Sequence, residues 1–214
     1  YRQSMSAALF LSIPSSIALM TIGLPIVSVL FMRGQFTAFN ALMTERALFY
    51  SSMGISSIAI LRITTPAFYS LKDTKTPVIS SAVAFVVNIA CGYILMRTPL
   101  RHAGLALGNT IASTVQVLIL LAFLNRKIGI SGRTGAATHA LKCLAGGLVM
   151  GAIIYGLSTF VDWTSDPLSK RLPHLVILVT AGAFSYFAAC YVLHVPQSHY
   201  RVRRISSLVR RARG

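Results

Sequence analysis

The chain has 214 residues, 55% of them hydrophobic and 11% charged, and its 20 Lys and Arg stand against 4 Asp and Glu for a formal net charge of +16. A soluble domain carries about 25% charged residues, so this chain has too few to clothe a water-facing surface, and lipid is its expected solvent. A basic excess admits nucleic acid, anionic lipid or an anionic substrate, but six arginines crowd the last fourteen positions and most other cations separate long uncharged runs, which is a membrane protein's distribution.

The first expected span is Met5 to Met32, because no charged side chain lies between Arg2 and Arg33 and the stretch exceeds the roughly 20 residues that cross a bilayer. It holds Pro14 and Pro25. Either would kink a helix by deleting a hydrogen bond that neighbours in a bundle can replace. Thr37 is a fitting N-cap for a second helix from Ala38 to Ile63, which the sequence Thr64-Thr65-Pro66 is expected to break. Its uncharged centre, Ala47 to Leu61, is short for a span, so the Glu45/Arg46 pair or Arg62 lies near hydrocarbon, snorkelling or lining a cavity.

A charged elbow with Lys72, Asp73 and Lys75 leads to Thr76-Pro77, a helix start, and to a third span from Pro77 to Met96 with Asn88 inside it. The fourth runs from Ala103 to Leu124 and carries Asn109 and Gln116; a basic loop from Asn125 to Thr138 follows. The fifth, Leu141 to Phe160, contains Gly147 and Gly151 in GxxxG spacing, which allows close helix approach. After a loop with Asp162, Asp166, Lys170 and Arg171, the sixth runs from Leu172 to His194, with small residues such as Gly182 available for packing. The fold class is therefore an all-α polytopic membrane bundle of about six transmembrane helices.

Orientation follows from the positive-inside rule: the side holding both termini collects fourteen Lys and Arg and the other collects six, together with Glu45, Asp162 and Asp166, so both termini are expected in the cytoplasm. The tail from Arg201 to Gly214 spaces Val202, Ile205, Leu208 and Val209 as a basic helix lying on anionic lipid would. It lacks the interleaved aromatics of a nucleic-acid binder, and no nucleic-acid partner is expected. The chain opens on Tyr1 without a cleavable leader pattern, which reads as the start of a piece of a longer protein.

No HExxH, CxxC, GxSxG or Walker-type spacing occurs, the five histidines are scattered, and Cys91, Cys143 and Cys190 sit singly in apolar runs. Neither enzymatic chemistry nor a metal or cofactor is expected. What remains are polar groups inside spans. Arg62 has two readings, a bidentate clamp on a substrate phosphate or a snorkelling cation. Asn88, Asn109 and Gln116 read as cavity ligands or as hydrogen-bonding glue between helices. Lys72, Asp73 and Lys75 read as a gate or as a membrane-interface elbow in which Asp73 caps or pairs locally.

Four stretches together resemble the MurJ/MviN family of lipid II flippases, in the multidrug/oligosaccharidyl-lipid/polysaccharide exporter superfamily: FMRGQFTAF from Phe31, ALMTERAL from Ala41, PAFYS from Pro66 continuing to DTKTPV at Asp73 to Val78, and HAGLAL from His102. The resemblance implies a fourteen-helix transporter whose last six spans are present. Residues 1–126 would give four helices of the second lobe, 127–194 two additional C-terminal helices and 195–214 a basic cytoplasmic tail. It further implies export of undecaprenyl-diphosphate-linked lipid II across the bacterial inner membrane by alternating access, with the N-terminal lobe of the same protein as partner and anionic lipids around it. Some relatives place an acid one turn after the Asn88 position; this chain has Gly92, so no bound cation is expected. The competing readings are a related multidrug or polysaccharide exporter and a non-transporting membrane scaffold.

Overall fold

A computed structural model describes residues 1–100, 102–128 and 133–193. Eight helices follow one another among them: α1 (Arg2–Thr21), α2 (Gly23–Phe31), α3 (Ala38–Met53), α4 (Ile55–Ser70), α5 (Lys75–Met96), α6 (His102–Ile128), α7 (Arg133–Ser158) and α8 (Leu168–Val192). Six segments are long and apolar enough to cross a membrane, α3 and α4 counting together as one 33-residue span, and the chain is a multi-pass membrane protein. The tail expected to lie on lipid falls outside the described residues.

The boundaries depart from sequence expectation where a backbone break differs from the residue that usually signals one. The first span divides at Ile22, ahead of Gly23, and Pro25 sits in the first turn of α2, where a missing N–H costs little. Pro14 stays inside α1. Its ring cannot donate to the Phe10 carbonyl one turn back, and the Tyr186 hydroxyl of α8 donates to that oxygen at 2.7 Å.

Thr64-Thr65-Pro66 does not end the second span. Pro66 lies within α4, which runs on to Ser70, and the break comes at Gly54. There the Gly54 N–H turns to the Ser51 carbonyl, and Thr110 of α6 donates its hydroxyl to the Tyr50 carbonyl at 2.8 Å. A β-carbon on Gly54 would stand 2.9 Å from the Thr110 hydroxyl, so glycine is what lets α6 approach the break. At Pro14 and at Gly54 a carbonyl that has lost its in-helix donor is thus served by a side chain of another helix, as lipid demands.

The other boundary shifts lengthen helices. The basic loop expected from Asn125 shrinks because α6 continues to Ile128 and α7 begins at Arg133. Helix α8 begins four residues before Leu172, which places Arg171 in its first turn, 7% exposed, donating to the Trp163 carbonyl at 3.1 Å.

Two clusters hold the bundle. Phe10, Ile22, Met150, Ile154, Leu178 and Tyr186 are among the residues that join α1, α2, α7 and α8. Phe68, Leu120 and Leu124 join α4 to α6. Helix α5 packs chiefly on α6 and buries only Pro77, Ser80, Ala84 and Gly92; much of its remaining surface is large apolar side chains turned outward.

Candidate functional site

The α5–α6 pair meets backbone to backbone because glycines face each other. A β-carbon on Gly108 would lie 3.0 Å from the Gly92 nitrogen, and one on Gly104 would lie 2.7 Å from the Leu95 carbonyl carbon and oxygen. Beside this contact a cleft of about 180 Å³ opens between the two helices, lined by Ser81 and Asn88 from α5 and by Asn109, Ser113 and Gln116 from α6, with Ala84, Phe85 and Ala112.

Its polarity follows from spacing. Ser81 and Asn88 are seven residues apart, as are Asn109 and Gln116, and seven residues nearly complete two helical turns, so each pair forms a stripe on one face. Gln116 donates to the Ser81 hydroxyl at 2.8 Å. Neither asparagine side chain bonds to another described residue, although Asn88 is half-buried. An amide left without a partner in hydrocarbon costs on the order of several kcal/mol, so these groups call for water, a ligand or further protein. The cleft is uncharged and can exchange hydrogen bonds without titrating.

The elbow is built around Asp73. Helix α4 ends in a Schellman motif: the Asp73 N–H donates to the Phe68 carbonyl and the Lys72 N–H to the Tyr69 carbonyl, each at 3.0 Å, with Lys72 in the left-handed region at φ 57°. Asp73 then accepts from the Thr76 N–H at 3.1 Å and from its hydroxyl at 2.6 Å, starting α5, and pairs with Lys127 near the end of α6. One residue therefore ties three helix ends together, α4 through its backbone N–H and α5 and α6 through its carboxylate. Lys127, ahead of the two Thr76 bonds, holds the Asp73 carboxyl well below the usual carboxylate range. Lys72 and Lys75 are exposed beside it.

A carboxyl depressed in the folded state contributes stability above its ordinary pKa, lost only as pH falls through the lowered folded value. The elbow is therefore expected to be insensitive to pH between 8 and 5 (roughly, since the reference carboxylate lies near 4). Asp73→Asn and Lys127→Met should each lower the thermal midpoint in detergent, and the double variant should be no worse than the poorer single. Additive losses would rule out the pair as the common cause.

The other sequence candidates are dispersed. Arg62 sits on the exposed face of α4, in register with Ile58, Pro66 and Tyr69, and opposite the face carrying buried Thr64 and Phe68. It lies eight residues before the end of α4 at Ser70, about 12 Å along the axis, and lines neither the α5–α6 cleft nor the larger cavity at the start of α3. Gly147 and Gly151 are buried on α7 against α1, where added β-carbons would meet Ile17 at 2.5 Å and 2.9 Å.

Ser81, Ser113, Lys127 and the Gly104/Gly108 pair belong to this region without having been singled out in sequence. Gly104 and Gly108 carry the same GxxxG spacing as Gly147 and Gly151 and were readable by it. Lys127 was not, since nothing local links it to a residue 54 positions earlier.

The family model described as lipid II flippase MurJ matches residues 1–172. The probable lipid II flippase MurJ of Vibrio cholerae is 32% identical over 191 residues, covering 87% of this chain and 35% of the relative. The probable flippase of the same name from Rhizobium meliloti is 29% identical, covering 88% and 36%, and the lipid II flippase MurJ of Burkholderia cenocepacia is 26% identical, covering 90% and 38%. The chain thus spans little more than a third of the length of these curated relatives.

Proposed function

Since the chain belongs to the lipid II flippase MurJ family, we propose that it is the C-terminal portion of an exporter that carries lipid II, the undecaprenyl-diphosphate-linked peptidoglycan precursor, from the cytoplasmic to the periplasmic leaflet of the bacterial inner membrane. The observation that carries this reading is the family match across 172 of the 214 residues, in register with the motifs around Arg33, Glu45, Asp73 and His102. Residues 1–126 act as four helices of the second lobe, opposed to an N-terminal lobe of the same protein, and 127–194 as two additional helices. Both chain ends face the cytoplasm, where the Lys and Arg excess and the tail meet anionic lipid.

The physical logic supports a moving lobe. The break at Gly54 interrupts a 33-residue span at its centre, as in transporters whose discontinuous helices border a pathway. The cleft holding Asn88 offers neutral hydrogen-bonding groups suited to a polar headgroup passing through hydrocarbon, and the Asp73–Lys127 elbow ties the cytoplasmic ends of α4, α5 and α6 so that they move as one body. Alternating access requires a facing lobe, because these polar walls are untenable against lipid.

The test is whether the complete gene sustains growth when a host's own flippase is depleted; lysis despite good expression would refute the reading. In the same assay Arg62→Ala is expected to impair rescue, with Arg62→Lys milder because the charge survives while the fork is lost. Full rescue by Arg62→Ala would leave Arg62 as a snorkelling cation only.

A further inference from the structure

The larger cavity, about 600 Å³, lies at the opposite end of α5 and α6 from Asp73, where α3 begins and the α5–α6 loop turns. Its walls include the apolar Phe39, Met43 and Leu100 and four polar groups, Glu45, Arg46, Tyr50 and His102. None of those four side chains makes a hydrogen bond with another described residue, Glu45 and Arg46 attract one another without a close ion pair, and all four border one space. Arg46 lies eight residues, about 12 Å, from Gly54 at the middle of the 33-residue span, close to where a hydrocarbon core about 30 Å thick would end if the span is centred in it.

We propose that this cavity binds the headgroup of a membrane phospholipid, its phosphate held by Arg46 and His102, a neighbouring hydroxyl or ammonium of the headgroup received by Glu45, and its first methylenes laid along Phe39, Met43 and Leu100. An arginine fork matches a phosphate oxygen pair, and a second cationic or neutral N–H donor across the cavity completes the cradle. Glu45 decides between a bare anion and a lipid headgroup. A carboxylate beside the cradle repels inorganic phosphate, yet it gains a hydrogen bond from the glycerol or ethanolamine group that a phospholipid carries next to its phosphate. The volume is in the range of ordinary small-ligand sites, roughly 300 to 1,000 Å³. The exposed flank, Phe39 at 65% and Leu42 at 41%, gives an acyl chain a continuous path outward.

The complete protein in detergent, titrated by native mass spectrometry with dioleoyl phosphatidylglycerol or dioleoyl phosphatidylethanolamine, should retain one lipid whose dissociation constant rises about tenfold in Arg46→Gln and less in Arg46→Lys. Arg33→Gln, an exposed arginine outside the cavity, should leave it unchanged. Dioleoylglycerol, with the same chains and no phosphate, should not be retained at this site, and millimolar inorganic phosphate should not displace the lipid. Binding by Arg46→Gln within twofold of the parent, equal retention of dioleoylglycerol, or full displacement by phosphate would each overturn the proposal. So would a Met43→Cys variant that still resists a membrane-permeant maleimide after the protein has been stripped of lipid, because a helix from elsewhere in the protein would then fill the space.

Discussion

Gly104→Val is expected to unseat α5 from α6 and to destabilise the bundle more than a substitution at Gly146, Gly147, Gly151 or Gly156 of α7. A β-carbon at Gly104 would fall 2.7 Å from the Leu95 carbonyl carbon and oxygen and 2.9 Å from its β-carbon, so the obstacle is mostly main chain and cannot rotate away. Gly147 looks tighter by distance alone, 2.5 Å, but the atom it would meet is the Cδ1 of Ile17, the tip of a side chain with other rotamers. Gly156 has nothing within 4 Å. Overpacking a fixed contact costs about 1–3 kcal/mol for one methyl, so Gly104→Ala should fall in that range and Gly104→Val beyond it. Gly147→Ala should cost less than about 1 kcal/mol, and Gly156→Ala should be neutral or stabilising by up to about 1 kcal/mol, since alanine favours the helix. Thermal midpoints of the complete protein in one detergent would read the order. The decisive comparison is Gly104 against Gly147: equal losses there would mean that α5 gives way as easily as a side chain.

That ordering marks the boundary of what the chain discloses before it folds. Charge-free runs and their flanking cations located the membrane spans, because exclusion of charge from hydrocarbon is a local rule that each segment obeys alone. The N-cap at Thr37, whose hydroxyl accepts from the Asn40 N–H, was legible for the same reason. Pro66 misled: α4 continues past it to Ser70, and the break comes at Gly54 instead. What completes the backbone at Gly54 is tertiary: Thr110 reaches the Tyr50 carbonyl from 60 residues away. The candidate site divides likewise. Asn88, Asn109 and Gln116 announced themselves as polar groups in apolar helices, but that Gln116 meets Ser81 while the two asparagines line the same cleft follows from the α5–α6 crossing. Asp73 was readable as a cap and its partner Lys127 was not.

Tyr186→Phe is expected to cost about 1–3 kcal/mol, at the upper end of what one hydroxyl is worth in a membrane bundle. Hydrogen bonds between transmembrane helices average only about 0.6 kcal/mol, because a released acceptor usually finds another donor nearby. At the Phe10 carbonyl the usual in-helix donor is missing, since position 14 is proline, and the Tyr186 hydroxyl that supplies the bond belongs to a residue only 4% exposed, beyond easy reach of water. The ring itself stays packed in the phenylalanine variant, 5.3 Å between centroids from Phe10, so the loss reports the hydroxyl rather than a cavity. Pro14→Ala provides the internal control. Alanine restores an N–H one turn beyond Phe10, and in that background Tyr186→Phe should cost about 1 kcal/mol less than in the parent. The cycle, read from thermal or denaturant midpoints, thereby distinguishes two roles for one tyrosine. Coupling between positions 14 and 186 means that α8 stabilises α1 by completing the backbone that proline left open. Equal costs in both backgrounds would mean that the Tyr186 hydroxyl contributes independently of Pro14 and would leave the proline without a physical partner.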